Sequence, residues 1–526
     1  MTPGRVDDAL LLDARVLTPE HRAEALLVEG GEVVAVGPSR PVRRLKATGT
    51  PVYRLRGRLV LPGFIDAHMH YADSVWADQG VPLRGVRSLP SLGARLRRYL
   101  EGHPNGPVVG GGWDETWLRE HRYPTAADLD RWVPHLPTLL YRTCTHVAVL
   151  NTAAMEFLHI DASTEEPPGG SFLRDAEGAP NGVLVENAER RALPLVERFL
   201  RAHEDAAGRL FQRAASEGVT QVGAMSVEPY EWESLARLAR RKRLPVEVSA
   251  WANLHARNEI PRLRRMGPVP GVKLAGVKAV LDGALGPRTA WLRSSYSDAP
   301  RTAGRPLWTE QALEGAVADD RVADYPIALH AIGDRTLARA IRLLRRRTPG
   351  RGDRIEHASV VPPHLIPPLR RLRATIVVQP QFIRSDSWLV DRLGPSRAPW
   401  AYPLRTLRES GLIVAGSSDA PVEALSPLAG MRDAVRRVPG TVFGRMTRAE
   451  ALRPEEALSM YTRDAARAIG SPQGGQLVPG EPADFVVIKA RGLGAALRSP
   501  TGSVQATFRH GACTFGGLAL APGWKR

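Results

Sequence analysis

The sequence predicts an α/β protein built on a parallel (β/α)8 barrel of the TIM type, with a small β-sandwich made from both ends of the chain. Three observations lead to this prediction. Strand-like apolar segments recur at the spacing of barrel units, and short alternating strands stand at both ends of the chain. In addition, about 150 residues separate the first barrel strand from the next clear strand, 218–226. That distance predicts an α/β insertion after strand 1.

The barrel strands are identified by the spacing of five segments that end in polar residues. These segments are LVLPGFIDAHMH (59–70), VKAVLD (277–282), IALHAIGD (327–334), RIEHAS (354–359) and IVAGSSDAP (413–421). A barrel of about 250 residues uses about 31 residues for each strand–helix unit. His357 follows His330 by 27 residues, which is one unit, and precedes Asp419 by 62 residues, which is two units with TIVVQPQ (375–381) as the intervening strand.

The same spacing predicts which residues meet at one end of the barrel. Lys278 precedes His330 by 52 residues, which is one unit plus a long loop. The five segments therefore become strands 1, 4, 5, 6 and 8. Active sites of this fold lie at the carboxyl ends of the strands. Six residues are predicted to converge there: His68, His70, Lys278, His330, His357 and Asp419.

Both ends of the chain predict β-structure outside the barrel. Residues 8–60 contain short alternating strands, and the Gly30-Gly31 pair between two apolar runs is a hairpin signal. Segments 483–490 and 503–517 have the same character. We therefore predict residues 1–60 and 471–526 to be the two parts of one β-sandwich, and residues 61–470 to be the barrel with its insertion.

The insertion, residues 76–200, is predicted to form a small α/β lid over the barrel mouth. Residues 91–103 have helical apolar spacing, and residues 135–151 are strand-like. Lids of this kind exclude water and select substrates. The candidate substrate-binding residues are Trp113, His146 and, from the loop after strand 4, Arg288. The alternatives are a packing aromatic, a core histidine and a solvated arginine.

The paired histidines of strand 1 indicate a metal site. Residues i and i+2 of a strand point to the same face, so His68 and His70 can bind one cation while Met69 points away. Imidazole pairs suit zinc and other borderline transition metals. A chance pair among 14 histidines is the alternative, but this pair directly follows the apolar run PGFID. We expect one or two divalent ions, with zinc preferred and manganese or iron as alternatives.

Lys278 stands out because lysine is rare in this chain. Only six of the 72 basic residues are lysines, so arginine serves wherever a plain positive charge suffices. A buried lysine can lose its proton, which arginine cannot, and a neutral amine can take up carbon dioxide to form a carbamate that bridges two metal ions. We therefore predict a carboxylated Lys278. Lys273, five residues earlier, keeps open the alternative of a lysine retained by drift.

The chain as a whole resembles the metal-dependent amidohydrolase superfamily, and within it the family-3 branch that includes N-substituted formamide deformylases. The segments that carry the resemblance are PGFIDAHMH, GGGWDETW (110–117), RTCTHVAVLN (142–151), GVLVENA (182–188), VKAVLDGALGPRTAWL (277–292), HAIGDR (330–335), RIEHAS, GSSDAP and GQLVPGEPADFVVI (475–488). The resemblance implies a distorted barrel beside a small β-sandwich, and metal-site roles for the six residues named above. Two departures, Pro287 and the TCT before His146, lie in substrate-side loops and bear on the substrate.

These features predict hydrolysis of a C–N bond other than a peptide bond, most simply in an amide or formamide. Asp419 is the predicted catalytic residue: it would orient the attacking water, take its proton and return that proton to the leaving nitrogen. The metal would supply Lewis acidity. An ester or lactone hydrolase using the same site is one alternative. An inactive barrel that serves as a scaffold is another, although such proteins lose ligands and here every expected position is filled.

Composition limits the number of domains, the binding partners and the cellular location that we expect. A chain of 526 residues suggests two or three domains. Its net charge of +17 comes from arginines that are spread over amphipathic helices, with acidic residues among them. We therefore expect no nucleic-acid partner. Docking of the basic surface onto an anionic polymer stays an alternative. Two cysteines imply no disulfide framework, and no apolar run has the length of a secretion signal or membrane span. We expect a cytoplasmic enzyme of a small-molecule substrate, without membrane association, with a homodimer as one compatible state.

Overall fold

A computed structural model describes residues 8–17, 22–266, 268–472 and 474–519. Its central sheet has eight parallel strands, and their order in the sheet follows their order in the chain. Barrel strands 1 to 8 are, in turn, Phe64–Met69, Val219–Val227, Glu247–Asn253, Val272–Val280, Ile327–Ala331, Arg354–His357, Thr375–Val378 and Val414–Gly416. The parallel barrel and the strand numbers predicted from the spacing are confirmed.

The barrel closes where the loop after strand 8 meets the end of strand 1. Met69 and Ala420 form a parallel bridge. The backbone N–H of Asp419 donates to the carbonyl of His68 at 2.8 Å, and the N–H of His70 donates to the carbonyl of Ala420 at 2.8 Å. These bonds place Asp419 beside the histidine pair, although the two segments are about 350 residues apart in the chain.

Two sheets outside the barrel contain the terminal segments. One has four strands, Ala9–Leu12, Ala25–Glu29, Glu32–Gly37 and Val52–Arg54; the other has six, Arg15–Leu17, Arg22–Ala23, Leu59–Pro62, Phe485–Ile488, Val504–Arg509 and Ala512–Gly516. One apolar cluster has members from both sheets, including Leu26, Val60 and Phe485. The strand Leu59–Pro62 pairs with Phe485–Ile488 and so extends the terminal β-structure slightly past residue 60.

The hairpin predicted at Gly30-Gly31 is confirmed. Glu29 pairs with Glu32 across a two-residue turn in which Gly30 and Gly31 have φ values of 59° and 82°. A Cβ at Gly31 would lie 2.8 Å from the carbonyl oxygen of His510, so this glycine also allows the turn to approach the C-terminal strands closely.

The segment between barrel strands 1 and 2 folds around a separate mixed sheet. Its six strands are Val81–Pro82, Val108–Trp113, Thr138–Arg142, Val147–Leu150, Gly170–Arg174 and Pro180–Glu186. The residues predicted to be helical, 91–103, lie in the helix Leu89–Gly102 up to its C-cap His103, and Ser88 caps the other end. The segment 135–151 is an antiparallel pair, with Leu140 opposite Val149. The turn of that pair points into the mouth of the barrel and carries His146.

Helices occupy the connections between the strands. The α-helices are Ser39–Leu45, Tyr71–Gln79, Leu89–Gly102, Ala126–Asp130, Thr152–Phe157, Leu193–Ala202, Glu204–Ser216, Pro229–Arg240, Ile260–Arg265, Glu310–Ala318, Asp334–Leu344, Ile366–Arg370, Phe382–Ser385, Leu389–Leu393, Leu404–Glu409, Pro427–Arg436, Val442–Met446, Pro454–Met460, Arg463–Ala468 and Leu493–Arg498. Short 3₁₀ helices cover Asn187–Ala192, Leu254–Glu259, Pro363–Leu365, Ala398–Trp400 and Arg448–Glu450. Within the described part of the chain, no helix combines the length and the apolar character needed to cross a bilayer.

Candidate active site

The six residues predicted to converge do so at the carboxyl ends of the barrel strands. His68 lies in strand 1, His330 in strand 5 and His357 at the end of strand 6. Lys278 stands two residues before the end of strand 4, and His70 and Asp419 lie just beyond strands 1 and 8. One nitrogen or oxygen atom from each of His68, His357 and Asp419 lies within 4.8 Å of the others. The His330 and His357 rings are 4.4 Å apart, centroid to centroid.

A buried chain of charges orients the ring of His68. Glu356 Oε2 lies 2.6 Å from His68 Nδ1, and Arg354 binds both Glu356 oxygens at 2.6 and 2.9 Å. All three side chains are fully buried. Although burial opposes the charged form, the positive charge of Arg354 and the contact with His68 hold the pKa of Glu356 well below its usual range. The carboxylate is therefore an acceptor, His68 carries its proton on Nδ1, and the lone pair of Nε2 points into the site.

Two further histidines are oriented by neutral or acidic partners outside the site. Gln379 donates its amide nitrogen to Ser417 Oγ at 3.0 Å, so its Oε1 faces His357 Nδ1 at 2.8 Å and accepts from it. His330 Nε2 lies 3.3 Å from the carbonyl of Gly283 and 3.5 Å from Asp282 Oδ1. Burial lowers the pKa of His357 to about 3 and that of His330 well below its usual value. Both rings are neutral and have a lone pair available on the other nitrogen.

Asp419 supplies the anionic oxygen of the cluster. Its φ of 56° is left-handed, a conformation that is costly for a non-glycine residue and recurs at functional sites. Oδ1 lies 3.2 Å from Nε2 of both His68 and His70, yet it receives no hydrogen bond. Burial opposes its charge, but the contacts with these histidines hold the pKa of Asp419 well below the usual value.

The arrangement of these atoms fits a divalent cation. His68 Nε2 and His70 Nε2 are 3.4 Å apart, and both face the unpaired Asp419 oxygen. A lone pair and a carboxylate oxygen brought together in a buried pocket repel each other unless a cation lies between them. Nitrogen and oxygen donors of this kind, held by partners outside the site, suit zinc, manganese or iron. His68, His70, His357 and Asp419 would hold the ion.

Lys278 lies in the wall of the same cavity and is 1% exposed. Burial lowers its pKa to about 8, despite the opposing charges of Glu356 and Asp419. Its Nζ forms no hydrogen bond or salt bridge with any residue that the structure describes. A buried amine without an anionic partner is costly in its charged form, so the neutral form is favoured here more than at the surface.

A cavity of about 220 Å³ opens above the cluster and is lined by both the barrel and the insertion. Two of the lining residues that come from the insertion, His146 and Glu186, are in contact with each other. His146 Nδ1 lies 2.7 Å from Glu186 Oε2, and its ring is 5.3 Å from that of His330. A Cβ at Gly283 would lie 2.1 Å from Glu186 Oε1, so a larger residue at this position would force the Glu186 side chain to move.

Of the three predicted substrate-binding residues, one lines the cavity and two do not. His146 lines the cavity, and its role in binding stays a prediction. Trp113 does not line the cavity: it is fully buried in the apolar core of the insertion, where its indole N–H donates to the carbonyl of Leu140 at 3.1 Å. This position matches the alternative of a packing aromatic, and contact of Trp113 with substrate stays a prediction.

Arg288 is also outside the cavity lining. Its guanidinium binds both oxygens of Asp298 at 2.8 and 3.2 Å, which directs the side chain back onto its own loop. A nearby carboxylate thus already satisfies its charge, and binding of substrate by Arg288 stays a prediction.

Sequence reasoning missed the residues that orient the histidines: Glu356, Gln379 and Asp282. A signal for Glu356 was present, because it directly precedes His357 and shares a strand face with Arg354. Strict alternation would send Glu356 and His357 to opposite faces. Both reach His68, since the φ of 70° at His357 ends the regular strand.

Comparisons with known proteins place this site in a family. A family model described as Amidohydrolase family matches residues 52–515. The chain is 31% identical over 490 residues to the putative amidohydrolase YtcJ of Bacillus subtilis, covering 90% of this chain and 92% of the relative. It is 25% identical over 518 residues to N-substituted formamide deformylase of Arthrobacter pascens, covering 91% and 93%.

A solved structure of an uncharacterized metal-dependent hydrolase from Pyrococcus horikoshii is similar to the chain with a TM-score of 0.78 and 28% identity. The match covers 92% of this chain and 97% of that one. The family model spans the barrel, the insertion and much of the terminal sheets, and its range includes the buried histidine and aspartate cluster described above. The chain belongs to the amidohydrolase family.

Proposed function

We propose that this protein is a metal-dependent hydrolase that cleaves a C–N bond other than a peptide bond, in an amide or formamide. The observation that carries the proposal is the convergence of His68 Nε2, His70 Nε2 and the unpaired Oδ1 of Asp419 at the floor of a cavity. A metal ion bound there would act as a Lewis acid toward water and the substrate carbonyl.

The side chains of the site would transfer protons, contact the substrate carbonyl and exclude water. Asp419, anionic and aimed at the cluster, would take a proton from the attacking water and return it to the leaving nitrogen. His330 lines the cavity in its neutral form, within reach of a substrate carbonyl. The insertion would exclude bulk water, and His146 would contact the substrate from that side.

The choice of a C–N bond is supported by the names of two relatives, an amidohydrolase and a formamide deformylase. An ester or lactone presents the same carbonyl and a better leaving group, so a weaker esterase activity is expected from the same machinery. We favour zinc because three imidazoles and one carboxylate surround the site.

We further propose that Lys278 is carboxylated and holds a second ion. The proposal is supported by its burial, its place in the cavity wall near His330 and the lack of an anionic partner among the described residues. Carbamate formation joins the neutral Nζ to the carbon of carbon dioxide, and the proton lost from nitrogen leaves the new group anionic. Such a group would supply the negative charge that the Lys278 side of the site lacks.

The proposed function is tested by hydrolysis assays of the metal-replete enzyme on N-formyl amines, N-acyl amines, cyclic imides and lactones. We expect the highest kcat/KM for an N-formyl or N-acyl amine, and a loss of activity on chelation that metal restores. Turnover of lactones alone would replace the C–N proposal by the ester alternative. A dipeptide hydrolysed best would contradict the non-peptide assignment.

A further inference from the structure

One wall of the cavity is apolar and adjoins the metal cluster. Val422 and Phe382 both line the cavity. The N–H of Val422 donates to the carbonyl of Asp419 at 2.9 Å. The N–H of Phe382 donates at 3.1 Å to the carbonyl of Gln379, whose side chain accepts from His357. These backbone bonds place both apolar residues next to the cluster, so a substrate carbonyl held there would have this wall beside it.

Two further aromatic side chains belong to the same wall. Tyr402 lines the cavity, and its ring centre lies 6.4 Å from that of Phe382, edge to face. The N–H of Tyr402 donates at 2.9 Å to the carbonyl of Ser359, in the segment that follows strand 6. Trp388 is half-buried, lines the cavity and packs against the loop after strand 4, since a Cβ at Gly286 would lie 3.4 Å from its ring. The segments that follow strands 7 and 8 therefore form this wall.

Three ionisable side chains stand beside this wall. The Tyr402 hydroxyl donates to Asp386, and burial raises the pKa of Asp386 to about 7. Burial also raises the pKa of Glu423. Arg84 is exposed, and its guanidinium donates to the carbonyl of Val422 at 2.5 Å. Two of the three are thus carboxylic acids whose charged form burial disfavours, and the third is already bound. A charged substituent placed against this wall would lose hydration without gaining a strong counter-charge.

The Trp388 ring is held in place by the protein itself. The guanidinium of Arg392 lies 5.3 Å from the centre of the ring. Arg392 is buried, donates to the carbonyl of Gly286 and is paired with Asp298, so its own position is fixed. An aromatic ring that is already ordered offers a ligand apolar contact area at a small further cost in side-chain entropy.

We propose that the wall formed by Phe382, Trp388, Tyr402 and Val422 binds an uncharged apolar substituent of the substrate, an alkyl or aryl group carried by the amide. The inference rests on the proposed function, since it names the substrate class of that site. Among amides, it selects those with hydrocarbon substituents. It disfavours N-acyl amino acids and other amides whose substituent ends in a charged group.

The test uses alkylphosphonates, whose oxygens bind metal ions and which contain no amide or ester bond, so that binding is measured apart from hydrolysis. Isothermal titration of the metal-replete enzyme with methyl-, butyl- and hexylphosphonate measures the contribution of the chain. Each methylene buried against the wall should lower Kd by about fourfold. Chains of similar length that end in an ammonium or a carboxylate, 6-aminohexylphosphonate and 5-carboxypentylphosphonate, should bind more weakly than hexylphosphonate.

Substitutions in the wall should reduce the Kd ratio between methyl- and hexylphosphonate several-fold. Trp388→Ala removes contact area. Val422→Thr keeps the shape of the side chain and adds a hydroxyl, so it tests the polarity of the wall apart from its volume. Phe157→Ala is the matched control for loss of an aromatic ring: Phe157 is 40% exposed and does not line the cavity, so the ratio should stay the same.

Three results would overturn the inference. Equal Kd values for methyl- and hexylphosphonate in the unsubstituted enzyme would do so whatever the variants show. Tighter binding of the ligand that ends in an ammonium or a carboxylate would show that the wall recognises charge. A chain-length effect that both Trp388→Ala and Val422→Thr leave unchanged would place the alkyl group elsewhere in the cavity. A clear chain-length effect in an enzyme that hydrolyses no amide would contradict the proposed function and leave the apolar subsite standing.

Discussion

Replacing Glu356 by glutamine tests how the buried contacts of Arg354 and Glu356 orient His68. The substitution keeps the shape of the side chain but removes the negative charge between Arg354, at 2.6 and 2.9 Å, and His68 Nδ1, at 2.6 Å. Arg354 would then be fully buried without its counter-ion, which costs about 3–5 kcal/mol in proteins. Part of this cost is offset, because Arg354 also donates to the carbonyls of Ala67 and Ala468.

The same substitution should weaken metal binding. Loss of a carboxylate behind a histidine ligand typically lowers metal affinity by about 10–100-fold, because the ring loses both its fixed tautomer and part of its basicity. Competition with a chromogenic chelator measures this affinity, and urea unfolding of the metal-free protein measures the change in stability. Both effects are expected together in Glu356→Gln.

The control is a buried carboxylate that is not part of the cavity lining. Asp433 is 1% exposed and is bound by Arg384 and Arg432. Asp433→Asn should lower the free energy of unfolding and leave metal affinity unchanged. A Glu356→Gln protein that binds metal as tightly as the unsubstituted enzyme, or a control that weakens binding equally, would refute the role assigned to Glu356.

Four further predictions follow from the site. In Asp419→Asn, turnover should fall by about 10²–10⁴-fold in metal-replete protein, and near-normal turnover would identify another residue as the base. His68→Ala and His70→Ala should lose metal, as measured by elemental analysis, but keep the circular dichroism of the folded barrel. Lys278→Ala should lose at least one ion and regain it in part with bicarbonate or a short carboxylate, whereas Lys278→Arg should not, because guanidinium forms no carbamate. His357 has a folded-state pKa of about 3, below its unfolded value of about 6.5, so its contribution to the stability of metal-free protein is complete above about pH 6.5 and is lost as the pH falls toward 3. Unfolding free energies measured across this range should show a weaker pH dependence in His357→Gln, and an unchanged slope would contradict the assignment.

The sequence alone predicts the barrel because the number of residues between successive strands can be read directly from it. The intervals among Lys278, His330, His357 and Asp419 match whole strand–helix units, and each of the four lies at or near a strand end. His68 and His70 follow from the two-residue period of a strand. These residues could be placed without knowledge of any contact.

What the sequence could not predict depends on side-chain partners that are distant in the chain. His146 and Glu186 are 40 residues apart, and His68 and Glu356 are 288 residues apart, so their pairing appears only when the tertiary structure is known. The burial of Trp113 in the core of the insertion likewise could not be predicted from the sequence. The ion pair between Arg288 and Asp298 could not be predicted either, because both residues lie in one irregular loop.

Metal content measured against activity tests the central claim most directly. The protein should be purified without added chelator, its divalent ions counted by elemental analysis, and its turnover of an N-formyl amine followed as metal is removed and returned. We predict at least one equivalent of a divalent transition ion per chain in active protein, with activity lost and restored in proportion to metal content, and no bound metal in His68→Ala. Full activity in protein that holds well below one equivalent would contradict the account.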